Sequence, residues 1–221
     1  MDLIEGIKTR KSIRAYRPDP VPRAVLNDVL SLAINSPSWA NIQPWEFCVV
    51  GGESIRRLKD AISARILAEQ TSPGEVPMPQ LSEKYSERRR QNGRKIFQLL
   101  GIPRGDNQAA LEHRAQMGRF FGAPNGIFVY ADAPVQHYIM FDLGLFTQTL
   151  MLSAHAYGLG TCAEAALVRH PEQVRSVLDI PRDKALVIGL SIGYPDNNAP
   201  INTHKSTREP LENCCTWYDV D

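Results

Sequence analysis

The feature that most constrains the fold of this chain is a long run, residues 138–157 (YIMFDLGLFTQTLMLSAHAY), that is apolar almost all round a helix. A helix without a wide polar face must be buried on most of its sides. Asp142, Gln148 and His155 interrupt the run, and an Asp near the centre of a bilayer costs about 2.5–3.5 kcal/mol. The run therefore predicts a central helix of the core or of a dimer interface, and not a membrane span.

Shorter patterns surround this helix. Apolar residues at helical spacing predict further helices over residues 2–10, 25–34, 54–68, 85–102, 109–117 and 171–178. Short apolar runs predict three buried strands at 47–50, 126–131 and 185–193. The irregular succession of strands and helices indicates an α+β fold, with one domain over residues 1–221. Residues 71–80 predict an irregular connection, and the tail after Tyr194 has too few apolar residues to order itself alone.

The charge balance and the cysteines narrow the class of protein. The 25 basic and 24 acidic residues are scattered, which favours small-molecule partners over nucleic acid or a membrane. The basic run at 88–95 is interpreted as a solvated helix face rather than a phosphate site. The four cysteines show no C-x-x-C spacing, and the N-terminus lacks the apolar core of a signal peptide, so we expect a reduced, cytoplasmic protein. The five histidines show no metal-ligand spacing, and no metal is expected.

Two basic segments at opposite ends of the chain suit a phosphate. The first combines Arg10, Lys11, Ser12 and Arg14, which offer guanidinium groups and a hydroxyl on one loop. The second carries Lys205 and Arg208. A solvated basic turn explains either segment alone, but together they favour an anion site. Neither a G-x-G-x-x-G nor a P-loop motif is present, so the anion is not a Rossmann or P-loop ligand by motif.

The sequence contains no recognisable side-chain catalyst. Local patterns for a Ser-His-Asp or Cys-His arrangement, or for paired carboxylates, are missing. We therefore expect a bound cofactor to carry the chemistry while the protein supplies position and electrostatics.

Five segments in order along the chain resemble the FMN-dependent nitroreductase family. They are R-K-S-I-R (10–14), P-S-W-A-N-I-Q-P-W (37–45), F-F-G-A-P (120–124), G-L-G-T-C (158–162) and T-R-E-P-L (207–211). The resemblance implies a central, mostly antiparallel sheet flanked by helices, in an intertwined homodimer whose extended C-terminal tails embrace the partner. It also implies that both chains wall each flavin site, and that residues 71–120 form a variable helical region covering the substrate.

The resemblance assigns the phosphate and ribityl contacts to Arg10, Lys11, Ser12 and Arg208, with Lys205 as a neighbour. It places Arg14 near the pyrimidine edge of the flavin, as an electrostatic tuner that stabilises the reduced ring. A lysine is common there in relatives, so the guanidinium is a departure.

The remaining expected contacts come from two other segments. The resemblance implies that Pro37, Ser38 and Asn41 reach the flavin of the opposite subunit. Trp39 replaces a small residue, and three roles stay open: stacking near the flavin, narrowing the pocket, or packing. A loop at Ala163, Glu164 and Ala165 is expected to bring backbone amides to the reactive ring nitrogen, with the Glu164 side chain either functional or a mere helix-start carboxylate.

The activity implied by the resemblance is the NAD(P)H-dependent reduction of nitroaromatic or quinone-like acceptors by FMN, in a ping-pong mechanism without a catalytic side chain. Two alternatives remain open at this stage. One is another flavin reductase of the superfamily, such as a reductive dehalogenase or a flavin-fragmenting enzyme, and the other is a flavin-binding protein without turnover. The donor, NADH or NADPH, is not determined by the sequence.

Overall fold

The computed structural model describes residues 1–70 and 72–220, and within them seven α-helices surround a four-stranded sheet. The helices are α1 (Leu3–Thr9), α2 (Arg23–Ala33), α3 (Gly52–Leu67), α4 (Glu83–Leu99), α5 (Asn107–Gly118), α6 (His137–Ala156) and α7 (Pro171–Arg175). The strands are β1 (Glu46–Val50), β2 (Asn125–Asp132), β3 (Gly160–Glu164) and β4 (Lys184–Gly193). The predicted α+β class is confirmed, and every predicted helix and strand lies within a few residues of its expected position.

The sheet has the order β1-β2-β4-β3, and all of its neighbouring strands are antiparallel. The register between β2 and β4 shifts once, between Val129 and Tyr130. The expectation of a central, mostly antiparallel sheet is therefore confirmed.

Both faces of the sheet are buried, and β2 shows this most clearly. Ile127 and Val129 pack on the side of α2 and α6, whereas Phe128 packs on the side of α3. Successive side chains of a strand point to opposite faces, so a strand covered on both sides needs an unbroken apolar run. On the α6 side, Phe146 has no exposed surface and stacks on Trp45 and Phe47, with ring centroids 5.4 and 5.2 Å away.

Helix α6 is buried along one side only within a protomer. Asp142, Leu143, Phe146 and Leu150 are buried, whereas the Phe141 side of the helix is open, with that residue 65% exposed. The sequence predicted that this helix lies in the core or in a dimer interface. The buried face of α6 packs in the core. The other face remains apolar and uncovered in the single chain.

Strand β3 was not predicted, and of the segment 162–165 that was expected to form a loop, Cys162, Ala163 and Glu164 lie in this strand. These residues pair with β4, with Cys162 opposite Ser191; only Ala165 lies beyond the strand, at the start of a 3-10 turn, Ala165–Val168. Ser12 forms a parallel bridge with Thr161 at the other edge of β3, and the Ile13 amide donates to the Thr161 carbonyl at 3.0 Å. A β-carbon on Gly160 would lie 2.5 Å from Ile13, so glycine permits this close contact. The first basic segment is thereby fixed along the edge of the sheet.

The connection at 72–80 forms no packed element, as predicted, and the tail has little regular structure. Thr71, the first residue of the connection at 71–80, lies outside the described residues; the rest forms neither helix nor strand. Glu75 anchors it, because its carboxylate pairs with the nearly buried Arg175 at 2.6 Å and accepts the Leu186 amide at 2.9 Å. The tail after Tyr194 contains only 3-10 turns within the described range, and Tyr218 near its end is 80% exposed.

A search of residues 1–70 and 72–220 finds no helix that combines the length and apolarity needed to span a bilayer. The same residues contain no group of three or more His, Cys, Asp or Glu side chains arranged to hold a metal ion.

Candidate functional site

The two basic segments meet in one cavity of about 480 Å³. Its walls come from the end of α1, the segment after it, and the tail. The lining residues are Ile7, Lys8, Arg10, Lys11, Ser12, Arg14, His204, Lys205, Ser206 and Arg208. All six residues predicted to meet an anion from these segments, Arg10, Lys11, Ser12, Arg14, Lys205 and Arg208, are therefore brought together from opposite ends of the chain.

The cations of this cavity repel one another. Burial, and then the charge of Arg208, lowers the pKa of the Arg10 guanidinium. In residues 1–70 and 72–220, none of the five cations among the six predicted residues forms an ion pair with a carboxylate, and Arg208 donates only to the carbonyls of Ser206 and Thr207. Lys8 also forms no ion pair among the described residues, so six positive groups surround one concave space and form a strong anion site.

Hydrogen bonds at both ends hold the loop that carries these cations. The Arg14 amide donates to Asn202 Oδ1 at 2.8 Å, and Asn202 Nδ2 donates to the carbonyls of Ala15 and Asp196, both at 2.8 Å. At the other end of the loop, Thr9 Oγ1 lies 2.8 Å from His155 Nε2 of α6. Burial, followed by the charge of Arg10, lowers the pKa of His155. The loop is thus positioned by α6 on one side and by the tail on the other.

A buried polar cluster lies beside Arg14, between the first basic segment and the sheet. Its members are Tyr16, Cys162, Glu164 and Ser191. The Tyr16 hydroxyl donates to the Ile13 carbonyl at 3.0 Å, and burial raises its pKa well above the ordinary value. Burial, followed by the charge of Glu164, raises the pKa of the Cys162 thiol to about 12, so that thiol is not a nucleophile at neutral pH.

Glu164 is the unusual member of this cluster. The residue is 5% exposed; its Oε1 accepts a hydrogen bond from Ser191 Oγ, and its Oε2 is buried with no partner among the described residues. Burial raises its pKa to about 8, although the Ser191 hydrogen bond and the Arg14 charge oppose this. Although Glu164 precedes a 3-10 turn, its side chain caps no amide there. Glu164 thus stands at the start of this turn, but its carboxylate is directed to Ser191 and not to the amides of the turn.

The neighbours of Glu164 are small. The Ala163 side chain is exposed and Ala165 is half-buried. Two methyl groups at the end of an edge strand leave the backbone there open to close approach by a ligand. Neither alanine lines the cavity of the cations.

The loop at 37–45 is strained and firmly anchored. Ala40, Asn41 and Gln43 have φ of 47°, 59° and 48°, in the left-handed region that costs non-glycine residues about 1–3 kcal/mol each. The Trp39 amide donates to both carboxylate oxygens of Asp142, each at 3.1 Å, and the Gln43 amide donates to Ser38 Oγ at 2.9 Å. Asp142 itself is 1% exposed. The buried carboxylate of Asp142 in α6 therefore holds this loop in place.

Trp39 does not pack in the core of its own chain. Its side chain is 60% exposed and stacks on Tyr138, which is 67% exposed, with centroids 6.1 Å apart. Pro37, Ser38, Trp39 and Asn41 do not line the cavity of the cations in the same protomer. The predicted site residues thus fall into three places: the cation cavity, the end of β3 beside it, and this separate loop.

Sequence reasoning missed several residues that shape the site. Asp142 carried a signal, since an acid inside an otherwise apolar helix requires a partner. No sequence pattern indicated the roles of His155 and Asn202, because their contacts join residues more than 140 positions apart in the sequence.

Comparison with known proteins agrees with this geometry. Residues 7–194 match the family described as the nitroreductase family. The chain is 32% identical over 219 residues to the 4-nitrobenzoate reductase of Pseudomonas putida, covering 97% of this chain and 95% of the relative.

Solved structures are similar over the whole chain. The FMN and NADPH-dependent nitroreductase NfnB from sphigopyxis sp. strain HMH superposes with a TM-score of 0.95 at 30% identity, covering 100% of both chains. The FMN-dependent nitroreductase NfnB from Mycobacterium smegmatis, solved in complex with NADPH, superposes with a TM-score of 0.92 at 31% identity, covering 98% of this chain and 100% of the other.

Proposed function

The chain belongs to the nitroreductase family, and we propose that it is an FMN-dependent oxidoreductase that uses NAD(P)H to reduce nitroaromatic or quinone-like acceptors. The observation that carries this proposal is the cavity lined by six cations, none of which pairs with a carboxylate in the described part of the chain. The similarity to FMN and NADPH-dependent nitroreductases over the full chain supports it.

The residues of the cavity fit the phosphate end of FMN. A phosphate dianion is bound best by guanidinium groups and hydroxyl donors, and Arg10, Arg208 and Ser12 offer both. Lys11 and Lys205 add charge at the rim, and binding an anion would relieve the repulsion between Arg10 and Arg208. We assign Arg10, Lys11, Ser12 and Arg208 to the phosphate and ribityl chain, with Lys205 as their neighbour.

FMN, when bound, supplies the redox chemistry by accepting electrons from the nicotinamide and passing them to the acceptor. The protein contributes a positive charge near the ring and leaves space for it. Arg14 keeps a positive charge beside the ring, and because the buried Glu164 stays protonated at neutral pH, its carboxyl does not neutralise that charge. Ala163 and Ala165 leave the backbone at the end of β3 open to the ring.

The loop at 37–45 serves the site of a second copy of the chain. In one protomer, α6 holds this loop at Asp142 and the cation segment at His155. These positions are thirteen residues apart, or about 20 Å along the helix axis. The loop and the cation cavity of one chain therefore lie near opposite ends of α6.

An antiparallel pairing of two α6 helices resolves this separation, because it brings the loop of each chain to the cation cavity of the other. The open face of α6, with Phe141 and the unobstructed Gly144, suits such a contact. We propose a homodimer in which Pro37, Ser38, Trp39 and Asn41 complete the partner's flavin site. The pair Trp39–Tyr138 would present an aromatic surface there.

The extent of exposed apolar surface supports an obligate dimer. Leu3, Ile4 and Ile7 of α1 are 69%, 62% and 58% exposed, and Trp217 in the tail is 64% exposed. Exposed apolar side chains of this kind mark interaction surfaces, and we expect the dimer to bury more than about 2,000 Å², as obligate homodimers do. We propose that the tail embraces the partner, and that residues 72–120, with α4 and α5, cover the substrate within one domain. Thr71, the first residue assigned to that cover, lies outside the described residues.

One cavity for both substrates implies that they bind in turn. We propose that the nicotinamide leaves before the acceptor enters, which gives parallel lines in double-reciprocal plots with NAD(P)H and a nitroarene. The four cysteines carry free thiols, which fits the reducing cytoplasm that we propose as the location.

The purified protein tests this function directly. We expect bound FMN in its visible spectrum, bleaching on addition of NADPH or NADH, and oxidation of the donor when 4-nitrobenzoate or a quinone is added. A protein that binds no FMN, or whose FMN is not bleached by either donor, contradicts the proposal.

A further inference from the structure

The basic run on α4 is mostly neutralised by its own neighbours. Arg88 pairs with Glu209 of the tail at 2.9 Å, and Arg90 and Arg94 pair with Glu87 at 2.8 and 2.6 Å. These three arginines agree with the prediction of a solvated helix face. Two cations of the run, Arg89 and Lys95, form no ion pair within the described parts of the chain.

Lys95 differs from Arg89 in what it faces. It lines a shallow cavity of about 390 Å³, together with Gln98, Leu99, Thr203, His204 and Lys205. Lys205 also forms no ion pair within residues 1–70 and 72–220. Two ammonium groups, an amide and a hydroxyl therefore surround one space without an acidic residue among its lining. Arg89 is exposed and lines none of this space.

The two sides of this cavity are held together. His204 of the tail is buried, and its Nε2 lies 3.0 Å from Asn92 Oδ1 of α4. Burial, and then the charges of Arg14 and Lys95, lowers the pKa of His204, which favours the neutral ring at this junction. His204 and Lys205 also line the FMN phosphate cavity. The two cavities are therefore neighbours that share His204 and Lys205.

We propose that Lys95 and Lys205 bind the 2′-phosphate of NADPH and so give this enzyme a preference for NADPH over NADH. The inference rests on the proposed function, because it requires a nicotinamide donor. A phosphate monoester is a dianion that two ammonium groups neutralise, and the Gln98 side-chain amide adds a hydrogen-bond donor. NADH carries a hydroxyl at this position and gains nothing from the charges. The 5′-phosphate of FMN has the same chemistry, and Arg10, Ser12 and Arg208 in the neighbouring cavity bind it.

The test uses the FMN-loaded enzyme and three variants. Lys95→Ala removes one of the two charges from the cavity, Lys95→Arg restores it, and Arg89→Ala removes an unpaired charge from the same helix outside the cavity. The ratio of kcat/KM for NADPH to that for NADH should fall about tenfold or more in Lys95→Ala, mainly through the KM for NADPH. It should recover in Lys95→Arg and stay at the wild-type value in Arg89→Ala.

Two binding measurements, which do not depend on turnover, show whether the lysines bind the 2′-phosphate of NADPH or the 5′-phosphate of FMN. By calorimetry, 2′,5′-ADP should bind the wild-type holoenzyme more tightly than 5′-AMP, and Lys95→Ala should remove the difference. The affinity for FMN, from quenching of its fluorescence, should change less than twofold to threefold, well below the tenfold loss of a charged contact.

Several results would overturn the inference. An unchanged NADPH to NADH ratio in Lys95→Ala, or an equal fall in Arg89→Ala, would show that Lys95 does not contact the 2′-phosphate. A loss of FMN affinity larger than the change in this ratio would show that the lysines serve the flavin phosphate. If neither donor bleaches the FMN, the proposed function fails. Equal affinity for 2′,5′-ADP and 5′-AMP rejects the 2′-phosphate site, whatever the result of the bleaching test.

Discussion

Replacing Glu164 by Gln should stabilise the flavin-free protein, and increasingly so as the pH rises. The carboxyl is almost fully buried, one of its oxygens has no partner in the described chain, and burial raises its pKa from 4.5 to about 8. The folded state therefore holds a proton that the unfolded state has released. Because the folded pKa is the higher one, the group destabilises the fold progressively between pH 4.5 and 8 and by a constant amount above that.

The magnitude follows from the two pKa values. Linkage gives a free-energy cost of about 1 kcal/mol at pH 5, about 3 kcal/mol at pH 7 and about 5 kcal/mol at pH 9. Gln has nearly the same shape, accepts the Ser191 hydroxyl in the same way and does not titrate. The difference in unfolding free energy between Glu164→Gln and the wild type should therefore grow by about 4 kcal/mol from pH 5 to pH 9.

Urea unfolding of both proteins at pH 5, 7 and 9, at one protein concentration and followed by circular dichroism, measures this difference. Ser191→Ala is the matched control, since it removes the hydrogen bond and leaves the carboxyl in place; it should lower stability at all three pH values. Equal pH dependence in Glu164→Gln and the wild type would refute the reasoning. A variant that is destabilised more at high pH would show instead that Glu164 is ionised and paired with Arg14.

Three further predictions concern the site and the core. Arg10→Ala and Arg208→Ala should each weaken FMN binding by about tenfold to a hundredfold, since a hydrogen bond to a charged group is worth about 1.5–3 kcal/mol; full flavin retention in both variants would contradict the phosphate assignment. Arg14→Ala should slow the bleaching of bound flavin by NADPH in stopped flow more than it weakens FMN binding, because its charge acts on the developing anionic ring, and the reverse order of effects would be inconsistent with this role. Phe146→Ala should lower the unfolding free energy by about 3–5 kcal/mol in urea titrations, because the side chain is fully buried between two aromatic rings; a loss below about 1 kcal/mol would mean that this contact between α6 and β1 is not central to the core.

The parts of the fold that the sequence predicts are those with a strong apolar pattern. Helix α6 and the strands β2 and β4 are largely buried, and the short strand β1 pairs along β2, so their hydrophobic residues are continuous or regularly spaced. Strand β3 has the sequence GTCAE, with a glycine, an alanine and a glutamate that disfavour strands in isolation. Its pairing with β4 and its bridge to Ser12 form it, and both contacts lie far away in the sequence.

The candidate site divides in the same way. The two basic segments are visible in the sequence, and their meeting in one cavity was predicted. The roles of Asp142 and Lys95 could not be predicted from the sequence. The role of Asp142 depends on its hydrogen-bond donor, and that of Lys95 depends on the lack of a carboxylate near it in the described structure. In the sequence, an Asp in an apolar helix and a Lys in a basic run each have several possible explanations. The structure shows that Asp142 holds Trp39 and that Lys95 lines a cavity with Lys205.

A mixed-dimer experiment tests the central claim, the flavin site shared by two chains, most directly. One variant, Arg10→Ala with Arg208→Ala, has a damaged cation cavity and an intact loop. The other, Trp39→Ala with Asn41→Gly, has a damaged loop and an intact cavity. Each homodimer alone should bind FMN weakly.

When the two variants are refolded together, each mixed dimer should contain one site in which an intact cavity faces an intact loop. Tight FMN binding, titrated by fluorescence quenching, should then return at one site per mixed dimer. If co-refolding restores no tight site, or if the loop variant alone binds FMN as tightly as the wild type, the loop does not complete the partner's site and the account is contradicted.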